Sequence, residues 1–244
     1  WVERCVHPHR VAGYAAVTLS LKKHGQNPGD ITAEQMDTIA DLADRYSYGE
    51  ARVSHEQNVV LGDVRKSDLY AVWQAAREQG LVTPNIGLLT DIICCPGGDL
   101  CDLANAKSTP IAKAIQARFD DLDYVFDLGE LELNISGCMN ACGHHHVGHI
   151  GVLGVDKNEA EFYQVTLGGR QGNNAQLGKV IDPSFSAGEM PDVISKIIQV
   201  YVENRHADEC FLDTFDRIGV DPFKNRVYEG RAHGKAKANE RKVA

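Results

Sequence analysis

The sequence predicts an α+β chain, with a strand–helix–strand–helix run followed by a mixed α/β region built around cysteines. Three observations carry that expectation. Apolar residues alternate at period two over 13–21, as a half-buried strand requires. A capping signature opens a helical pattern at Thr32. Four cysteines then fall in two short pairs, Cys95 with Cys101 and Cys138 with Cys142.

The elements follow in order. After the 13–21 strand, Thr32 with Gln35 three residues later forms a capping box. Met36, Ile39, Ala40 and Ala43 recur at helical spacing and give that helix an apolar face. Residues 50–61 return as a strand. Ser67 is placed to cap a second helix carrying Leu69, Val72, Trp73 and Ala76, with Gly80 and Pro84 as stop signals. The first cysteine loop leads into a helix over 109–119, and a strand over 131–135 delivers Ser136 and Gly137 to the second pair. Segments 149–155 and 161–168 read as a hairpin, 191–204 as an amphipathic helix and 209–218 as a shorter one. From 229 the sequence is small, polar and basic, the composition of a disordered tail. No internal repeat is visible.

Composition narrows the function. Of 244 residues, 43 % are apolar and 24 % charged, with a formal net charge of −9. The tail's +3 leaves the body at −12, which argues against a nucleic-acid partner. No stretch approaches the roughly 20 apolar residues of a membrane span. Seven cysteines in 244 residues, neither dense nor even in number, are not expected to make a disulfide framework. A reducing, cytoplasmic compartment is expected.

Four thiolates are the ligand set of a [4Fe–4S] cluster, and equally of a tetrahedral structural zinc. A gap of five residues holding Pro96, Gly97 and Gly98 is unusual for a zinc knuckle, but spacing alone leaves both open. Cys94 would lengthen the gap to six and is set aside as a ligand, while Cys5 and Cys210 read as packed thiols. Gly97, Gly98, Gly137 and Gly143 flank the pairs, where backbone can approach a bulky group.

Four stretches carry a resemblance: SerGlyCysMetAsnAlaCysGlyHisHisHisValGlyHisIleGly at 136–151, AspIleIleCysCysProGlyGlyAspLeuCysAspLeuAlaAsnAla at 91–106, the helix-opening segment 29–46, and ArgValSerHisGluGlnAsnValValLeu at 52–61. Together they resemble the siroheme-containing sulfite and nitrite reductases. The resemblance implies half of a ferredoxin-like unit over 1–86, a mixed α/β siroheme/Fe–S domain over 87–228 and the tail over 229–244. It implies a [4Fe–4S] cluster on Cys95, Cys101, Cys138 and Cys142, with Cys142 bridging to the siroheme iron as the catalytic thiolate. Arg52, Gln57 and Asn58 match a siroheme-contacting segment, or else form a solvated strand edge. Asn140 either bonds the macrocycle or a ligand sulfur, or simply shapes its loop.

The family resembles a duplicated protein of about twice this length, and the likeness is to its second half. This chain, beginning at Trp1, is therefore expected to be one part of a longer enzyme whose N-terminal half supplies most of the anion site. Arg52 and Arg170 are the candidates within it, and a lone half would expose one face and one sheet edge. His144, His145, His146 and His149 are set aside as metal ligands, because consecutive residues of an extended segment point opposite ways, and are expected to pack and hydrogen-bond beneath the cofactor. The implied reaction is six-electron reduction of sulfite to sulfide, with electrons from a flavoprotein or a ferredoxin. Nitrite reduction to ammonia is the alternative, and a non-catalytic iron–sulfur module or a zinc domain stay open beside it.

Overall fold

The computed structural model describes residues 1–158 and 160–230; the expected disordered tail falls largely outside them. The chain runs α1 (Val2–Cys5), β1 (Val6–Pro8), β2 (Tyr14–Leu19), α2 (Ala33–Tyr46), β3 (Arg52–Val53), β4 (Val59–Arg65) and α3 (Leu69–Glu78). It continues with β5 (Ile93–Cys94), α4 (Thr109–Arg118), α5 (Leu122–Leu128), β6 (Leu133–Ser136), β7 (Ile150–Lys157), β8 (Ala160–Leu167), β9 (Lys179–Ser186), α6 (Met190–Asn204), α7 (Phe211–Ile218) and α8 (Asp221–Tyr228). Among the described residues, no helix is long and apolar enough to cross a membrane.

The first layer is an antiparallel sheet of order β1-β2-β4-β3, packed against α2 and α3. Val17, Leu19, Leu61 and Val64 from its strands meet Ile39, Leu42, Val72 and Ala76 from its helices in one core. The Thr32–Gln35 capping box is present in both directions. The inward stripe of α2 is Gln35, Ile39, Leu42 and Ala43, while Met36 and Ala40 are exposed. The expected apolar face is therefore rotated: polar Gln35 turns inward because its Nε2 donates to the Gln79 carbonyl at 3.0 Å.

Two further expectations change. Residues 50–61 are not one strand but a hairpin of β3 and β4, turned over the polar run 54–58. Ser67 does not cap α3; it sits in a 3₁₀ turn over Lys66–Asp68 and donates to Asp68. The edge strand β3 is exposed, Val53 at 83 %. Part of the opposite face looks at the second layer, where His7, Thr18, Asn58 and Val60 share a cavity of about 200 Å³ with Ile93 and Asn134.

That second layer is a mixed sheet of order β5-β6-β7-β8-β9. β5, β6 and β7 are mutually parallel, and β7–β8 and β8–β9 are antiparallel. Its core gathers Leu133, Ile135, Val152, Val165 and Phe185 with Ile115 of α4, Ile194 and Ile198 of α6, Phe211 and Phe215 of α7 and Phe223 of α8. The β7–β8 hairpin and the α4, α6 and α7 helices stand where the sequence placed them, while α1, β1, α5, β9 and α8 were not foreseen.

Candidate cofactor-binding site

Both cysteine pairs hang from the same end of this sheet. β5 ends at Cys94 and its parallel neighbour β6 ends at Ser136, in register Cys94 with Ile135. The Cys95 N–H continues the ladder to the Ile135 carbonyl at 3.1 Å. From the other strand, the Gly137 N–H donates to Cys95 Sγ at 3.1 Å. The first loop then folds back onto the second. Gly98 N–H donates to the Ala106 carbonyl at 3.0 Å, and the Asn105 and Ala106 N–H groups donate to the Gly137 carbonyl at 2.9 and 3.1 Å. Gly137 must be glycine for this stitching, since a Cβ there would lie 2.7 Å from both the Ala106 oxygen and the Gly97 Cα.

The second loop is a succession of tight turns. Ala141 N–H donates to the Cys138 carbonyl at 3.2 Å and His144 N–H to the Ala141 carbonyl at 2.8 Å. Ala141 and His144 take left-handed backbone at φ 57° and 52°. Gly143 N–H is held by Ser136 Oγ at 3.1 Å, and a Cβ on Gly143 would strike the Ile135 carbonyl.

The four thiols differ in access. Cys95 and Cys138 are buried, Cys101 is half-buried and Cys142 is exposed. Exposed apolar side chains stand beside them in the same loops, Leu100 and Leu103 in the first and Met139 in the second. Among the described residues, no three His, Cys, Asp or Glu side chains converge as they would around a single ion. Four thiols suit the ligand set of a tetrahedral zinc and of a [4Fe–4S] cluster alike. Four thiols on two stitched loops, one already accepting a backbone N–H, fit the cluster.

The remaining cysteines are occupied otherwise. Cys94 is buried, its Sγ donates to the Cys95 carbonyl at 3.2 Å, and burial pushes its thiol well up. Burial likewise pushes Cys5 up to about 12. Cys210 is not simply packed; it caps α7 in a box with Asp213.

Arg52 is exposed and pairs with Glu50 at 2.7 Å. Arg170 is remote in its bonding from the cysteine loops, gripping Asp216 of α7 through two contacts of 2.8 and 2.7 Å. Asn140 is exposed in the second cysteine loop. Gln57 bonds the Cys94 backbone, and the buried Asn58 bonds Leu21 N–H and Asp91. The histidines are not extended, since His145–Val147 forms a 3₁₀ turn. Burial lowers His145 and His149 to about 4, so both are neutral, and His149 Nδ1 accepts the Glu132 N–H.

Sequence reasoning missed the joint beside the site. Lys22 is fully buried, its Nζ donating to the Glu56 carbonyl at 2.7 Å and to Asp91 Oδ1 at 3.3 Å. Asp91 also accepts from Asn58 Nδ2 and from Gly87 N–H, both at 3.0 Å. Nothing local marks Lys22 out from Lys23 next to it.

Family models match most of the chain. The nitrite and sulphite reductase 4Fe-4S domain matches residues 88–235, and the nitrite/sulfite reductase ferredoxin-like half domain matches residues 7–79. The ferredoxin–nitrite reductase of Synechococcus elongatus is 28 % identical over 198 residues, covering 79 % of this chain and 37 % of that protein. The ferredoxin sulfite reductase 2 of Mycolicibacterium paratuberculosis is 26 % identical over 234 residues, covering 91 % of this chain and 42 % of that protein. This chain thus spans well under half the length of these relatives. The solved NirA protein of Mycobacterium tuberculosis shares the fold at TM-score 0.70 and 24 % identity, over 89 % of this chain and 41 % of that one. The chain belongs to the nitrite and sulfite reductase family, whose members are oxidoreductases that carry siroheme beside a [4Fe–4S] cluster.

Proposed function

We propose that this chain is the cluster-bearing part of a siroheme enzyme that reduces sulfite to sulfide by six electrons. It works with an N-terminal half of the same enzyme and a flavoprotein or ferredoxin donor. The observation that carries this reading is the delivery of both cysteine pairs to one sheet end by the parallel strands β5 and β6. When bound, the cluster gathers electrons and the siroheme offers an iron at which the oxyanion is reduced.

The chain's own residues hold and tune. Cys95, Cys101, Cys138 and Cys142 are the cluster ligands on this reading. The Gly137 N–H on Cys95 Sγ stabilises the more negative, reduced state of whatever that sulfur ligates. Cys142, the exposed thiol, would take the bridging role between cluster and siroheme. Asn140 in the same loop, and Arg52 on the half-domain edge, are left to face the macrocycle or its anion.

Sulfite is placed first because the sulfite reductase alignment spans 91 % of this chain against 79 % for the nitrite reductase. Nitrite, reduced to ammonia, is the second reading, favoured by the higher identity of 28 % against 26 %. The test is the visible spectrum of the anaerobically purified chain, with iron and zinc assayed on the same sample. Siroheme's Soret and red bands support the reading, and sulfite against nitrite turnover with a viologen donor then decides the substrate. An iron–sulfur shoulder alone makes the chain an electron-transfer module, and zinc without colour overturns the cluster. In the complete enzyme, Cys142→Ser should abolish siroheme–cluster coupling and turnover; unchanged coupling removes the bridging role.

A further inference from the structure

We infer that Gln57 is a positioning residue, a latch by which the first layer sets the backbone immediately before Cys95. Among the described residues, strand β5 lies at the edge of its sheet and has a strand partner on one side only. Gln57 bonds it with both ends of one amide. Its Nε2 donates to the Cys94 carbonyl at 2.9 Å, and its Oε1 accepts the Cys94 N–H at 2.9 Å. A primary amide making this reciprocal pair does for one residue what an adjacent strand does for several.

The turn around Gln57 is built for that task. Gln57 takes left-handed backbone at φ 59°, an uncommon conformation for a residue with a Cβ. Its neighbours are fixed on both sides, Glu56 by Lys22 through its carbonyl and Asn58 by Leu21 and Asp91. Gly29 backs the side chain so closely that a Cβ there would come 3.0 Å from Gln57 Cβ. Beyond the latch lies a cavity of about 750 Å³ lined by Gln57, Cys94, Pro96 and Leu100, so the cysteine loop has open space on this side. Gln57 therefore acts on the ligand thiol through the Cys94 backbone.

The inference rests on Cys95 being a cluster ligand, and the test separates the two claims. Gln57→Gly removes the amide while keeping a residue content with positive φ. Gln57→Glu keeps the shape and the acceptor but loses the donor. Hydrogen exchange of the Cys94 amide in the metal-free chain reads the latch itself. Exchange should quicken roughly tenfold in Gln57→Gly, the scale of one net hydrogen bond, and less in Gln57→Glu. After reconstitution, iron loss to a chelator should quicken in the same order and the cluster's reduction potential should shift. Unchanged Cys94 exchange overturns the latch. Faster exchange with unaltered iron loss and potential overturns the positioning role. Faster exchange in a chain that takes up no iron leaves the latch standing and sinks the cluster reading instead.

Discussion

Cys94 and Cys95 are neighbours in sequence with opposite fates. Cys95 Sγ accepts a backbone N–H, as a thiolate ligand would, whereas Cys94 spends its proton on a carbonyl and is held protonated by burial. Cys94→Ala should therefore keep full iron content after reconstitution, and Cys95→Ala should lose most of it; a reversed result would exchange their roles. The sequence separated these two by counting gaps, but packed histidines alone did not say that burial would hold His145 and the half-buried His149 neutral. Both have a folded pKa of about 4 against an ordinary 6.5. The unfolded chain thus binds protons in that window that the fold refuses, so stability falls as pH drops from 6.5 towards 4 and levels off below. His149→Gln should make the thermal midpoint less steep across this window. An identical slope in both proteins would assign the acid sensitivity elsewhere.

At the scale of elements, the start of α2 was more legible than its face, whereas the Ser67 cap of α3 was misread. Thr32 and Gln35 are a local signal, and the box they form is present. Thr32→Ala should cost about 1 kcal/mol in denaturant unfolding, and a loss within error would mean that tertiary packing alone holds the first turn of α2. Which stripe of α2 turns inward depends on Gln79, 44 residues from Gln35, and no period within the helix encodes that. The missed β3–β4 turn did leave a trace, because 54–58 is polar throughout and a half-buried strand would have alternated. The two cysteine pairs were legible as neighbouring loops, but their stitching through the Gly137 carbonyl follows only from two parallel strands lying side by side.

For the molecule as a whole, the decisive feature is the joint between the layers. Lys22 and Asp91 form a buried pair there, their side chains 0 % and 5 % exposed. Removing one partner of such a pair leaves an uncompensated charge, so Lys22→Met should cost about 3–5 kcal/mol. Adding Asp91→Asn should recover much of that loss, since the two changes share one interaction. Chemical unfolding of the single and double variants measures this, and simple additivity would mean that the pair does not act as a unit. Near the same joint, the first layer turns part of its second sheet face towards β5 and β6.

The adjacency of β5 and β6 also bears on how the protein is made. Both loop roots are fixed by hydrogen bonds belonging to the polypeptide itself, from Cys95 N–H to Ile135 and from Gly137 N–H to Cys95. On the proposed cluster reading, these loop roots hold their places without the metal, and loading need not organise them first. Loading the reduced thiols with iron and sulfide should then proceed in one kinetic phase, and a slow second phase would mean that the loops must first rearrange.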